Sequence, residues 1–363
     1  DSVRLFDADR DLGADNPDHL CGEETFYEHV HFNAAGAYRL GTAWAREVDH
    51  MLPSAWPRNS QWGEATACAE RLGLSGWNQA IVWDHMCSRL QVPPLATQTN
   101  NALRLAALSA NTRLIRQSLT PDLAIQVGDN FQHQLKAHPA DFMLRENYAI
   151  FLQATGNLTA AQQQWEQLQD QLPHDYLPPF QCGRLAALTT NYPAAMIALQ
   201  RAVTLRPDLT EGWLELGQAA AGNQQYESAL AAYATAQTQR PQDAKIMFRI
   251  GQVKAATGDH AAARQVYQKA LQLNPADWEV HYAQAGEWDA LGNAPAALAE
   301  FAAAVQLHPD SSRTHYNYGV LLAKTGRLDE AGEEFATALK WEPGYKNAED
   351  GLAKIQILKH RKQ

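Results

Sequence analysis

Proline recurs at one fixed step through more than half of this chain. Pro139, Pro173, Pro207, Pro241, Pro275, Pro309 and Pro343 are each 34 residues apart. Proline fills 17 of 363 positions, so six further hits by accident have odds of roughly one in 10^8, before the choice of period is counted. Other columns keep the same phase. Ala161, Ala195, Ala229, Ala263, Ala297 and Ala331 stand 12 residues before the closing proline. Four residues after each alanine comes a large side chain: Trp165, Leu199, Tyr233, Tyr267, Phe301 or Phe335. Five residues before the proline stands Leu168, Ala202, Ala236, Ala270, Ala304 or Ala338. The chain is a repeat protein.

One unit, Thr210 to Asp243, shows why those residue types recur. Trp213, Leu216, Gly217 and Ala220 fall at helical spacing, as do Ala229, Tyr233 and Ala236. The run Gly222-Asn223-Gln224-Gln225 predicts a turn between two helices, and Pro241 ends the second, because proline lacks an N–H and disfavours helical geometry in the residue before it. Small Gly217 and Ala229 fit a close helix crossing, and large Tyr233 fits the space between this unit and its neighbour. A single hairpin of helices cannot bury its apolar face alone, so several must stack into a continuous core.

These units resemble tetratricopeptide repeats. The family pattern of W, L-G, Y, A, F, A and P is met by Trp213, Leu216, Gly217, Ala229, Tyr233, Ala236 and Pro241, with Ala220 in the column where an aromatic is expected. The resemblance implies an all-α, right-handed superhelical solenoid of antiparallel helix pairs, six units over residues 139–345. It also implies that function lies on the concave surface formed by the first helix of each unit, with its fifth position facing the groove. That column reads Glu146, Phe180, Leu214, Phe248, Tyr282 and Tyr316, and four positions later stand Ile150, Arg184, Gln218, Gln252, Gly286 and Val320. Phe180, Arg184, Leu214, Gln218, Phe248, Gln252, Tyr282 and Tyr316 are therefore the candidate groove residues, a cradle for an extended peptide or an amphipathic helix. The same rings are equally suited to leaning on the adjacent repeat as packing. Some members of the family clamp a chaperone's C-terminal carboxylate with a lysine at the fifth and an asparagine at the ninth position; no unit here has both.

A formal net charge of -10 argues against a nucleic-acid phosphate binder, which needs a basic stripe. No apolar run is long enough to span a membrane as a helix. Cys21, Cys68, Cys87 and Cys182 are far apart and match no zinc or haem spacing; they read as isolated thiols on helices, with a Cys21–Cys68 disulfide as the alternative in an exported protein. The chain begins at Asp1 rather than at Met, from which a processed or excerpted start is expected. The compartment stays open, and neither a metal nor a cofactor is expected.

Residues 1–53 differ in texture. Val3-Arg4-Leu5-Phe6 predicts a short strand, and a helix is expected over 34–52, with Ala37, Leu40, Ala43, Trp44, Val48 and Met51 on one face. The run Phe26-Tyr27-Glu28-His29-Val30-His31-Phe32-Asn33 resembles the last sequence block of SGNH/GDSL-type hydrolases, where an acid and a histidine stand three residues apart before a helix. The resemblance implies that this segment is the strand-loop-helix remnant of an α/β domain, with Glu28 orienting His31 as the base for a serine nucleophile. Glu28 is one methylene longer than the usual aspartate, and the family's nucleophile block precedes this one, so no catalysis is expected within this chain. His29 and His31 alone make a weak metal pair, and Asp7 and Asp9 read as turn caps. The helix over 34–52 is expected to dock on the first solenoid helices or on another chain.

Residues 54–138 predict a helical bridge and N-terminal cap, with helices over 63–72, 76–90 and 97–110. Trp77, Ile81, Val82 and Met86 form one apolar stripe there, which is expected to be buried in the core. Residues 108–139 fit a degenerate unit, with Phe131 in the large column and Pro121 interrupting it. Residues 346–363 predict a capping helix with Leu352, Ile355 and Leu358 inward. Three functions follow from these features: a non-catalytic protein-interaction scaffold, the C-terminal part of an acyl esterase whose nucleophile domain lies outside this chain, and a self-assembling repeat protein that associates through its N-terminal segment or its solenoid ends.

Overall fold

The computed structural model of this chain describes residues 34–51, 64–72, 74–92, 95–97, 99 and 101–360. Among these residues every regular element is helical. The strand expected at 3–6, and Glu28 and His31, lie outside the described residues. The chain divides into two compact units, Asp1–Gln171 and Leu172–Gln363.

The first unit contains α1 (Ala34–Met51), α2 (Ala65–Arg71), α3 (Gly76–Leu90), a 3-10 turn (Leu95–Thr97), α4 (Asn101–Ser118), α5 (Pro121–Ala137) and the helix pair α6 (Phe142–Ala154) and α7 (Leu158–Gln171). Pro121 starts α5 rather than breaking it: it sits in the first turn behind the N-cap Thr120, where a missing N–H costs nothing. The helix expected over 97–110 is α4, which starts at Asn101, four residues later, and runs on to Ser118; Asn101 anchors its start by donating to the Leu90 carbonyl at 2.8 Å. Trp77 is buried as expected, and its ring meets Phe151 edge-on at 5.3 Å. Val82 instead faces outward, 37% exposed, since the buried face of α3 runs through Asn78, Ala80 and Leu90. In α1, Trp44 and Val48 are exposed.

The second unit is a solenoid of helix pairs: α8 (Leu177–Leu188) with α9 (Tyr192–Leu205), α10 (Thr210–Gly222) with α11 (Tyr226–Gln239), α12 (Ala244–Ala256) with α13 (His260–Leu273), α14 (Trp278–Ala290) with α15 (Ala294–Leu307), and α16 (Ser312–Lys324) with α17 (Leu328–Trp341). The helix α18 (Lys346–His360) closes it against α17, with Ile355 buried; Leu358, expected inward, is 43% exposed, because the contact ends one turn earlier.

The period-34 columns are the core. All six alanines of the 161–331 column are 0% exposed, and the six large residues that follow them are at most 6% exposed. The proline column sits just past each second helix. The residue before it is forced out of helical geometry, as at Arg206 (φ -135, ψ 85) and Asn274 (φ -136, ψ 86). The proline carbonyl then receives a side-chain bond from the fourth position of the next helix: Arg145 to Pro139, Trp213 to Pro207, His281 to Pro275 and His315 to Pro309, at 2.8, 2.9, 3.1 and 2.9 Å.

The turn inside each pair is also periodic. Gly156, Thr190, Gln224, Gly258, Gly292 and Gly326, again 34 apart, have left-handed backbone. The N–H one residue later bonds back five residues, as from Asn157 to Leu152 (2.8 Å) and Asn293 to Trp288 (2.9 Å), a Schellman closure of the first helix. That same residue caps the second helix: Asn157, Asn191, Asp259 and Asn293 each accept from the N–H three residues on.

Candidate functional site

Within the second unit the first helices touch one another directly, α8 with α10, α10 with α12 and α12 with α14, a closeness that the second helices do not match. The first-helix layer is therefore the inner face of the stack. Two cavities open on it. One, of about 480 Å³, is lined by side chains that include Arg184, Glu215, Gln218, Arg249, Gln252 and Tyr226. The other, of about 340 Å³, is walled mainly by Phe248, Tyr267, Trp278, Glu279, Tyr282 and Arg313. Gln252 borders both, so they adjoin along α12.

The candidate residues divide by column. Those at the ninth position, Arg184, Gln218 and Gln252, are exposed and line the first cavity. Those at the fifth position lean on their own repeat. Phe248 is 7% exposed and packs on Tyr267 at 5.9 Å between ring centroids. Tyr282 meets Phe301 at 5.8 Å and Tyr316 meets Phe335 at 5.8 Å, so the same partnership recurs in three successive repeats. Phe180 and Leu214 are half-buried against neighbouring core clusters. Phe248 and Tyr282 still present an edge to the second cavity; Phe180, Leu214 and Tyr316 line neither.

Tyr282 is also held by polar contacts. Its hydroxyl accepts from Arg313 Nε at 2.9 Å and Asn317 Nδ2 at 2.6 Å, while the Arg313 guanidinium lies 5.0 Å over its ring. Two groove residues escaped the column count, Glu215 and Arg249. They sit three residues before Gln218 and Gln252, one helical turn along the same face, and that i, i+3 relation is the signal that finds them. Arg184 Nε lies 3.9 Å from Glu215 Oε1, and Arg249 donates Nη1 to Gln252 Oε1 at 2.9 Å.

The cavity floors are the large residues of the second helices. Burial pushes the Tyr233 phenol up to about 12, with Glu215 adding to the rise and Arg249 opposing it. Burial likewise raises Tyr267, with Glu287 acting in the same sense. Both hydroxyls stay neutral near pH 7, so they offer hydrogen bonds rather than charge. Among the described residues no group of histidine, cysteine, aspartate and glutamate is arranged to hold a metal ion. None of the described helices is long and apolar enough to cross a membrane. Cys68 and Cys87 are half-buried and Cys182 is buried, each on a helix.

Two family models describing tetratricopeptide repeats match residues 214–277 and 290–355. These are tetratricopeptide repeats. Solved structures with the same repeat architecture share it at low identity. A tetratricopeptide repeat protein from Parabacteroides merdae is 12% identical, with a TM-score of 0.54 over 64% of this chain and 92% of that one. The APC/C hetero-tetramer Cut9-Hcn1 is 13% identical, with a TM-score of 0.51 over 89% of this chain and 76% of that one. YrrB, a tetratricopeptide repeat protein with an unusual peptide-binding site, is 20% identical, with a TM-score of 0.39 over 51% of this chain and 95% of that one. No curated protein matches the chain. The tetratricopeptide matches do not extend to Glu28 or His31, and nothing found supports the hydrolase resemblance of that segment.

Proposed function

We propose that this chain is a non-catalytic protein-interaction scaffold that holds a peptide or helix in the inner groove along α8, α10, α12 and α14. The observation that carries this reading is the adjoining pair of cavities that meet at Gln252. A continuous trough with an exposed polar column on one side and ring edges in its wall suits a chain of side chains better than a single compact ligand. The partner is a protein or peptide; the net charge of -10 disfavours nucleic acid, and the site asks for no cofactor. The proposal assigns no catalytic step to Glu28 or His31.

A phage-displayed library of random twelve-residue peptides, selected on the full chain, tests this directly. Selected peptides should bind the wild-type chain and lose affinity when Gln252→Trp fills the junction of the cavities. Peptides that bind the variant unchanged, or a library that yields none, would remove the groove from the account.

A second reading, self-association through α1, is supported by the exposed Trp44 and Val48 on that helix. Sedimentation over a concentration series should show association that Trp44→Glu with Val48→Glu abolishes; a monomer throughout would dismiss it.

A further inference from the structure

The two cavities differ in chemistry, and the difference specifies a ligand. The first carries two guanidinium groups, Arg184 and Arg249, against one carboxylate, Glu215. Glu215 reaches Arg184 only at 3.9 Å, the outer limit of an ion pair. Arg249 has a neutral partner, Gln252, and among the described residues no carboxylate pairs with it. A guanidinium offers five donors in a fork that fits a carboxylate, so this wall holds unspent donors and one excess positive charge, in a protein whose net charge is negative.

The second cavity is different. Its walls are the rings of Phe248, Trp278 and Tyr282 above the Tyr267 floor, and its two charged groups, Glu279 and Arg313, cancel. Arg313 is already committed to Tyr282. What remains is an apolar, aromatic recess.

We infer, building on the groove reading above, that the ligand is an extended peptide that places an aspartate or glutamate side chain between Arg184 and Arg249 and an aromatic or large aliphatic side chain in the Phe248–Trp278–Tyr282 recess. The first cavity spans α8, α10 and α12 and the second spans α12, α14 and α16, so their centres lie two repeats apart, at α10 and α14. Neighbouring packed helices lie about 8–10 Å apart, so two steps span about 16–20 Å; an extended chain rises about 3.3 Å per residue, which sets the two anchors about five or six residues apart in the peptide. A helical ligand would need about eleven to thirteen residues for the same span, at about 1.5 Å each.

The library selection separates this inference from the reading beneath it. Peptides enriched on the wild-type full chain should carry an acidic residue about five or six positions from an aromatic or aliphatic one. Replacing that acid by its amide, or making Arg249→Gln, should each weaken binding by about tenfold, measured by fluorescence anisotropy. Arg249→Glu should redirect a fresh selection toward basic residues at the same position, and circular dichroism of both variants should match wild type because Arg249 reaches the cavity surface. If enriched peptides lose binding in Gln252→Trp yet show no acidic preference, or show the anchors two or three residues apart, the inference is overturned while the groove stands. If nothing is enriched, both are overturned.

Discussion

Gly217 lies so close to the Tyr233 ring that a Cβ added there would stand 2.4 Å from Tyr233 Cε1. The same contact recurs between Gly251 and Tyr267 at 2.3 Å and between Gly319 and Phe335 at 2.9 Å. The glycine of the eighth position thus exists for the large residue of the second helix, and Tyr233, 1% exposed, has no room to turn away. Gly217→Ala should cost about 1–3 kcal/mol through overpacking, even though alanine is the better helix former. Gly286, mid-helix in α14, would meet nothing within 4 Å, and Gly286→Ala should stabilise by about 0.5–1 kcal/mol. Urea unfolding of the two variants should therefore shift in opposite directions, and a shared sign would refute the packing account.

Thr190 and Gln224 occupy left-handed backbone at φ 59 and φ 60, where the four other repeats place glycine. Left-handed backbone costs a non-glycine residue about 1–2 kcal/mol. Gln224→Gly should raise stability by up to about that amount, and Gly258→Ala should lower it comparably. Thermal unfolding measures both, and a neutral Gln224→Gly would mean the turn is not strained.

His315 sends Nδ1 to Glu334 Oε2 at 2.6 Å and Nε2 to the Pro309 carbonyl at 2.9 Å. Both ring nitrogens face acceptors, which only the imidazolium can satisfy, and the bond to Glu334 raises its pKa, outweighing a lowering by burial. A raised folded-state value means the folded protein holds the proton more tightly than the unfolded chain. The stabilisation is therefore fully present below the ordinary histidine value of about 6.5 and is lost as pH rises through the higher folded value. The destabilisation caused by His315→Gln should be larger at acidic than at alkaline pH. Chemical denaturation of both proteins across that range checks it, and a pH-independent difference would refute the ionised pair.

Much of this was legible because packing repeats where the chain repeats. The alanine, large-residue and proline columns each name a contact that the structure makes, so the core could be read from phase alone. Gly258-Asp259 and Gly292-Asn293 are turn signals of the same kind. The groove was harder to read. A ring such as Phe248 is a good anchor and a good core residue, and nothing in its one-dimensional position says that it will close on Tyr267. Arg249 escaped because it stands outside the fifth and ninth columns, and it joins Arg184 and Glu215 only in lining the cavity that α8, α10 and α12 enclose. Val82 and Leu358 depart from the pattern for a related reason: periodicity gives a face, while its extent depends on the length of the helix it meets.

The central claim is that the inner layer of first helices is the binding surface. Site-specific photo-crosslinking tests it most directly, with a benzophenone side chain placed in the full chain at Gln252 on α12 or at exposed Ala234 on α11. The account predicts that a library-selected peptide crosslinks at residue 252 and not at residue 234. Crosslinking at 234 with none at 252 would contradict it.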